Sequence, residues 1–384
     1  MISPARLAWS QLRRQKTRFA VATAGVVFAV VLMFMQLGFQ DALYRSAVTL
    51  QRRMKGDLFL LAPQYQVIVR ETFFPRVRLY QALGVGGVAW VSPVYFATAP
   101  WKNPETGQTW PIFVLGIDPV VDVFDSPEVE VQRAVLRYPD VSLYDEYSRR
   151  EFGRIADRVR EQGQLTTEVL GRTITVRGLF RMGTSFGIDG TLLTSDLNFL
   201  RIVRHRSADQ VGIGVIGLEP NTSPVAVQAA MRAALPGDVQ VRTKAELLDL
   251  EVAHWARATP IGFFFTFGVV MGLVVGMIIV YQILFANIGD HLKEYATLKA
   301  IGYGHRYLAG IVVCEATILA AAGFAPGLLA SERLYALAGS ATMLPMAIEP
   351  RRAAEVLLLT LAMCWASALI AVRKLRAADP ADVF

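Results

Sequence analysis

PIGFFFTFGVVMGLVVGMIIVYQILFANIGDHLKEYATLKAIGYGHRY, residues 260–307, decides how this chain is read. It holds nearly all of a charge-free run, Thr259–Gly289, and then a short polar segment, Asp290–Arg306. At about 1.5 Å of rise per residue, a helix over the run is longer than the roughly 30 Å hydrocarbon core of a bilayer. Gly268, Gly272 and Gly276 recur at every fourth residue on one helix face, a spacing that lets backbones approach closely in a membrane. The polar segment predicts a short amphipathic helix. Leu292, Tyr295, Leu298 and Ile301 fall at helical spacing, Lys293, Glu294 and Lys299 occupy the other faces, and Gly302 and Gly304 end it. Two spans joined by such a helix either turn the chain round or pass motion through the bilayer.

Ahead of this stretch, Phe19–Gln40 is also uncharged and long enough to span. Its apolar part exceeds a signal-peptide core, and MFMQLGF offers no small-residue cleavage site. Arg13, Arg14, Lys16 and Arg18 place its start in the cytoplasm. Residues 4–16 have the composition of an interfacial helix, with Ser3 as cap, Pro4 at the first helical position, and Leu7, Trp9 and Leu12 among arginines. Tyr307–Leu329 predicts a third span, and Val356–Val372, followed by Arg373, Lys374 and Arg376, a fourth. This topology puts both termini and residues 290–306 inside. Arg351 and Arg352, on the outer side, run against the positive-inside trend, and Arg373–Arg376 outweigh them.

The long region between the first two spans predicts a mixed α+β domain. Short β-like runs recur at 57–61, 66–69, 88–97, 110–116, 172–180, 211–218 and 239–241, and Thr166–Phe180 alternates around Gly171 as a hairpin would. Capping boxes at Ser148–Glu151 and Thr243–Glu246, and Ser223-Pro224, predict helix starts. The expected fold class is an α-helical membrane protein with four transmembrane helices plus a large mixed α+β periplasmic domain inserted between the first and second spans. Its parts are an N-terminal helix (1–18), spans at 19–40, 259–289, 307–330 and 353–372, and the outer domain at 41–258. That domain divides into a core lobe (41–70 with 166–258) and a second lobe (about 70–165). A cytoplasmic helix (290–306), an outer loop (331–352) and a tail (373–384) complete the chain.

Composition supports a membrane protein. The chain has 384 residues, of which 18% are charged, and a mean hydropathy of +0.38; soluble domains average about 25% charged. The net charge is +7, and several of the basic residues cluster where a helix meets the membrane rather than in a nucleic-acid-like stripe. Cys314 and Cys364 lie in apolar runs, and the four histidines are scattered, so no disulfide framework or metal site is expected.

Several residues are candidate sites. Gly183-Thr-Ser185-Phe-Gly187 matches G-x-S-x-G, but the nucleophile elbow needs a following helix and a nearby histidine; Ile188–Thr191 reads as a turn, so a glycine-rich loop is preferred to a hydrolase. No G-x-x-x-x-G-K-[ST] occurs, so ATP would have to be bound by a partner subunit. Glu315, about eight residues into the third span, reads as either a proton or substrate contact or a hydrogen bond to the second span, for instance at Tyr281 or Gln282. A single acid makes a poor relay, which favours the second reading. Gly323, Pro326 and Gly327 predict a bend. The glycine row packs helices within one copy or forms a dimer face; four spans hardly enclose a pathway, which favours a dimer. Glu294 reads as a contact to a cytoplasmic partner.

The order of these elements resembles the FtsX/MacB-type ABC permeases, and its sequence blocks resemble the DevC branch known from cyanobacteria. The blocks are FAVVLMFMQLGFQDAL (28–43), WKNPETG (101–107), GTSFGIDGTLLTSDLNFLRI (183–202), TPIGFFFTFGVVMG (259–272), VYQILF (280–285), HLKEYATLKAIGY (291–303) and RKLRAADPADVF (373–384). The resemblance implies an inner-membrane permease that acts as a homodimer with a separate DevA-like ABC ATPase, a DevB-like periplasmic membrane-fusion protein and a TolC-like outer-membrane channel. It implies mechanotransmission: a coupling helix, 291–303, passes ATPase motion through the second span to the outer domain, which expels substrate. His291, Lys293, Glu294, Leu298, Lys299 and Tyr303 would be the ATPase-coupling residues. The branch is associated with glycolipid export for the heterocyst envelope, which makes a glycolipid or another amphiphile the candidate cargo. The chain itself is expected to be neither an enzyme nor a cofactor binder. The alternatives are an FtsX-like transmembrane regulator and a lipoprotein-sorting permease.

Overall fold

Gln15 alone separates α1 (Pro4–Arg14) from α2 (Lys16–Ala47). The first part of the α/β region holds α3 (Thr49–Arg53), β1 (Leu58–Leu61), β2 (Phe74–Pro75), α4 (Val77–Leu83), β3 (Val88–Lys102) and β4 (Thr109–Ile117). Next come α5 (Pro127–Gln132), β5 (Val141–Asp145), α6 (Ile155–Gln162), β6 (Leu165–Val169), β7 (Arg172–Phe180), β8 (Thr191–Ser195) and α7 (Asp196–Ile202). The region ends with β9 (Gln210–Val211), β10 (Ile213–Leu218), α8 (Pro224–Ala234), β11 (Gln240–Thr243) and α9 (Lys244–Ala253). A π-helical turn, His254–Ala258, precedes α10 (Pro260–Asp290), α11 (Leu292–Ala300), α12 (His305–Thr342) and α13 (Pro350–Ala377). The computed structural model describes residues 4–342, 344 and 346–377; the expected cap at Ser3 and most of the expected tail, 378–384, lie outside them. The chain forms two units, residues 43–259 and residues 1–42 with 260–384.

In the second of these, α2, α10, α12 and α13 are long and apolar enough to cross a membrane. The 31 residues of α10 give about 46 Å of helix. α10 keeps the expected limits to within one residue, the other three run past theirs, and the expected outer loop at 331–352 is helical to Thr342. The sequence ASERLYALAGSAT (330–342) contains no proline to stop it, and the Tyr335 hydroxyl donates to the Phe34 carbonyl of α2.

Small residues set the packing around α2. A Cβ on Gly272 would stand 2.9 Å from Leu32 Cδ2, one on Gly276 2.7 Å from Ala29 Cβ, and Gly268 faces Gln36. These pairs run antiparallel. Gly323 and Gly327 of α12 face Val26 and Val30 of the same helix in parallel register. The glycine row is therefore filled by its own chain, by α2 and at Gly276 also by Met363 of α13, which corrects the expectation of a dimer face at Gly268, Gly272 and Gly276. Likewise α12 continues as helix through Pro326, and its two glycines are contact points rather than marks of a break. Of the two arginines that run against the charge trend, Arg352 is accounted for: it holds Asp41 at the far end of α2 with two hydrogen bonds, and also Glu355.

The α/β unit is built on one nine-stranded sheet in the order β11-β1-β10-β3-β4-β8-β5-β7-β6. The far end of the long β3 also pairs with β6, at Trp101↔Val169 and Lys102↔Glu168, so six strands close into a ring. The β6–β7 hairpin turns through Leu170 and Gly171, both at positive φ, the tight turn that suits the twist of paired strands. This closure moves the lobe boundary: residues 165–195 belong with β4 and β5, not with the lobe of β1, β10 and β11. Residues 66–69 form no strand, and β5 and β8, each buried along its whole length, carry no period-2 signal. The expected capping box at Ser148 is also absent, because the Ser148 hydroxyl is turned to the Thr191 amide at 3.3 Å. The one at Thr243–Glu246 is formed on both sides.

Candidate functional site

α11 is the short amphipathic helix that the polar segment predicts, and its end is set by Gly302 at φ +102. A left-handed residue there costs glycine little and lets the Tyr303 amide donate to the Leu298 carbonyl. One face of α11 is buried: His291, Tyr295 and Ala296, with Leu298 packed against the helix-bundle core. The opposite face presents Lys293, Thr297, Ala300 and Ile301. Ile301 was expected on the inward face; it lies one residue past the helix, where the chain has turned, and is 70% exposed. Ile301 is thus an exposed apolar side chain flanked by Lys299 and two glycines.

The residues expected to couple therefore divide. Lys293 and Glu294 are exposed, Lys299 and Tyr303 are half-buried, and His291 and Leu298 face inward. Thr297 and Ala300 were not singled out from the sequence, and Ile301 was read on the inward face. Their signal is the i, i+4 spacing of Lys293, Thr297 and Ile301, the same periodicity read one residue out of phase.

Behind α11 lies a polar network. Gln11 of α1 donates from Nε2 to Glu294 Oε2 at 3.1 Å, and its Oε1 accepts from the Tyr295 hydroxyl at 3.3 Å. His291 Nδ1 lies 3.3 Å from Glu294 Oε2, and its Nε2 lies 3.4 Å from Gln15 Nε2. Arg18 pairs with Asp290. Burial raises the Tyr295 phenol well above its usual range, and the Glu315 and Glu294 carboxylates add to this. The phenol therefore stays neutral and serves as a donor.

Glu315 is fully buried, and its Oε2 accepts from Asn287 Nδ2 of α10 at 2.9 Å. The hydrogen-bond reading of this residue thus describes the geometry, with Asn287 in place of Tyr281 or Gln282. Asn287 lies one turn from the end of α10 and from Asp290, so Glu315 sits close to the polar end of the bundle rather than at mid-membrane. Its Oε1 has no hydrogen-bond partner among the described residues. A cavity of about 10 Å³ next to Asn287 is lined also by Leu12, Phe19, Ile283 and Leu319.

The GTSFG loop does not have the strand-turn-helix setting of a nucleophile elbow. The Ser185 amide and carbonyl pair with those of Ile188 in a tight turn, and β8 follows, not a helix. The Asp145 carboxylate, buried and shifted upward by that burial, anchors the loop by accepting from the Met182 and Gly183 amides at 3.0 and 2.8 Å. Phe186 meets Trp255 of the π-helical turn edge-on, with ring centres 4.8 Å apart. Among the described residues no cluster of metal-ligating side chains occurs.

No curated protein matches this chain. Among solved structures it is similar to the periplasmic region of MacB from Actinobacillus actinomycetemcomitans, with a TM-score of 0.36 and 9% identity over 51% of this chain and 92% of that one. It is also similar to the extracellular domain of the noncanonic ABC-type transporter YknZ from Gram-positive bacteria, with a TM-score of 0.34 and 12% identity over 49% and 99%. At these scores the likeness carries no functional argument. The sequence of residues 266–380 matches the family model of the FtsX-like permease C-terminal region, and that match takes in α11 with nearly all of the three spans around it.

Proposed function

We propose that the chain is the permease subunit of a tripartite ABC exporter, which transmits ATP-driven motion of a separate ATPase to its outer α/β domain. The single observation that carries this reading is α11, a short helix with an outward face and a fully engaged inward face. A loop that merely reversed the chain would need neither Ile301 exposed nor Tyr295, Gln11 and Glu294 bonded behind it. The basic residues Arg6, Arg13, Arg14, Lys16 and Arg18 lie at or near the end that carries α11, which supports a cytoplasmic position for it.

In this reading two ATPase copies bind a homodimer of the chain, and each grips one α11. Their closure on ATP displaces α11. Because α11 is joined to α10 through His291 and tied to α1 through Gln11, the displacement reaches the spans as a rigid-body shift. α10 begins two residues after the π-helical turn that follows α9, so a shift of α10 pulls directly on that turn. A π-turn holds one residue more than an α-turn and marks a place where a helix adjusts its register. The outer domain would then act on the cargo, a glycolipid or another amphiphile, and drive it through a fusion protein and a TolC-like channel.

The test is purification of the tagged chain from native membranes in mild detergent, with mass spectrometry of what accompanies it. An ABC ATPase together with a membrane-fusion protein supports the exporter. An ATPase without a fusion protein moves the reading to lipoprotein sorting or to an FtsX-like regulator. Intact chain with no ATPase overturns it.

A further inference from the structure

α1 has the composition of an interfacial helix, a kind that ordinarily turns its apolar face to lipid. The structure uses that face otherwise. Ala8, Gln11 and Leu12 are buried against the helical bundle, so the apolar stripe is already covered by protein. The opposite face carries Arg6, Trp9 and Arg13, which at helical spacing fall within about 60° of one another. All three are exposed, Trp9 by 51%. Neither arginine has an ion-pair partner among the described residues, and the first acidic residue in the chain is Asp41.

The depth of α1 indicates what this face meets. Leu12 lines the same small cavity as Leu319, which lies fourteen residues inside α12, and as Ile283 and Leu284 of α10. The C-terminal part of α1 therefore runs alongside two membrane spans rather than below them. A face at that level is bathed by the headgroup layer. Arginine donates to phosphate oxygens there, and an indole seats at the boundary between headgroup and acyl chain.

We propose that Arg6, Trp9 and Arg13 bind the headgroups of anionic phospholipids, and that the bound lipid, through Gln11 on the other side of α1, steadies α11. The lipid-binding half stands on α1 alone. The second half rests on the reading of α11 as a docking helix. Charge complementarity decides the occupant: the positive charge of this face is matched by phosphatidylglycerol and not by a zwitterionic headgroup.

The first experiment places the full chain in nanodiscs containing dibrominated phosphatidylglycerol or dibrominated phosphatidylcholine and follows the quenching that is lost in Trp9→Phe. The proposal expects this Trp9-dependent quenching to be stronger with phosphatidylglycerol. Each of Arg6→Gln and Arg13→Gln should weaken the preference about fivefold. Equal quenching by the two lipids, or a preference unchanged in the double variant, overturns it. So does a Trp9 shielded from both lipids, which would mean that a protein covers the face.

The second experiment measures thiol labelling at Ile301→Cys in the same nanodiscs. Slower labelling with phosphatidylglycerol, lost in Gln11→Leu, supports the link to α11. Labelling that ignores the lipid, while the quenching preference stands, overturns the link and leaves the binding. Both readouts are independent of whether an ATPase partner exists, so failure here is distinct from failure of the exporter reading.

Discussion

Gln11 Nε2 donates to Glu294 Oε2 at 3.1 Å, joining residues 283 positions apart in the chain. The same glutamine accepts from the hydroxyl of Tyr295. The helix that precedes the first span therefore holds the helix between the second and third. Glu294 is engaged from behind, and in the exporter reading Lys293, Thr297 and Ile301 are the exposed side chains that would meet the ATPase.

The outward face should be separable from the fold. Ile301→Asp puts a charge where an apolar anchor would be buried, and should abolish ATPase association while shifting the thermal midpoint of the isolated chain little. Glu294→Ala with Lys299→Ala should uncouple ATP hydrolysis from export. Co-purification and coupled ATPase assays decide, and full association of Ile301→Asp would remove Ile301 from the contact.

The inward face should behave differently. Gln11→Leu leaves Glu294 and Tyr295 without their shared partner, and should cost about 1 kcal/mol and loosen α11. Faster proteolysis within 291–304 than in the parent protein is the expected readout, with the α/β unit unaffected.

The glycines around α2 should not be equivalent. A methyl group at Gly268 meets the flexible end of Gln36, which can move aside; at Gly323 it meets Val26 Cβ at 2.5 Å, next to the backbone of α2. Gly323→Ala should therefore destabilise by ~1–3 kcal/mol and Gly268→Ala by clearly less. Gly272→Leu should disrupt the bundle outright. Thermal midpoints in detergent test the order, and equal midpoints for the two alanine variants would contradict the packing described.

Glu251 predicts a pH dependence in the α/β unit. It is buried in α9, accepts from the Tyr65 hydroxyl at 2.5 Å and the Ile68 amide at 2.9 Å, and burial raises its carboxyl from the ordinary 4.5 to about 7. The folded state therefore holds this proton more tightly than the unfolded state. The contribution is favourable below about pH 4.5, declines as pH rises, and is lost above about pH 7, for a total of about 3 kcal/mol. Glu251→Gln should remove this decline and be the more stable form, relative to wild type, above pH 7. Thermal midpoints between pH 5 and 8 that fall in parallel for both proteins would exclude the role.

The spans were legible because a bilayer demands about twenty apolar residues and tolerates few charges. The hairpin at Leu170–Gly171 and the capping box at Thr243–Glu246 were legible because each rests on local chemistry. What the sequence did not carry was long-range partnership. The pairing of β3 with β6 closes a ring between residues 101 and 169, and no local pattern announces it. β5 and β8 are buried on both faces and lack alternation. The glycine row was recognised as a contact surface, but spacing alone does not say whether the neighbour is α2 of the same chain or a second copy. In the candidate site, Glu294 stood out by its place in the polar segment. Gln11 did not, because a glutamine in a basic helix has no signature until its partner is known. Ile301 was placed on the wrong face because three successive three-residue steps from Leu292 drift about half a turn round a helix, which sets it beside Lys293 and Thr297.

The most direct test of the account is photocrosslinking from the outward face of α11. A benzophenone amino acid replaces Ile301 or, as the inward control, Tyr295, and the full chain is irradiated in native membranes. The account predicts that position 301 captures a protein carrying a G-x-x-x-x-G-K-[ST] nucleotide-binding motif and that position 295 captures only this chain. Capture of no such protein at 301, in membranes where the chain is intact, would contradict it.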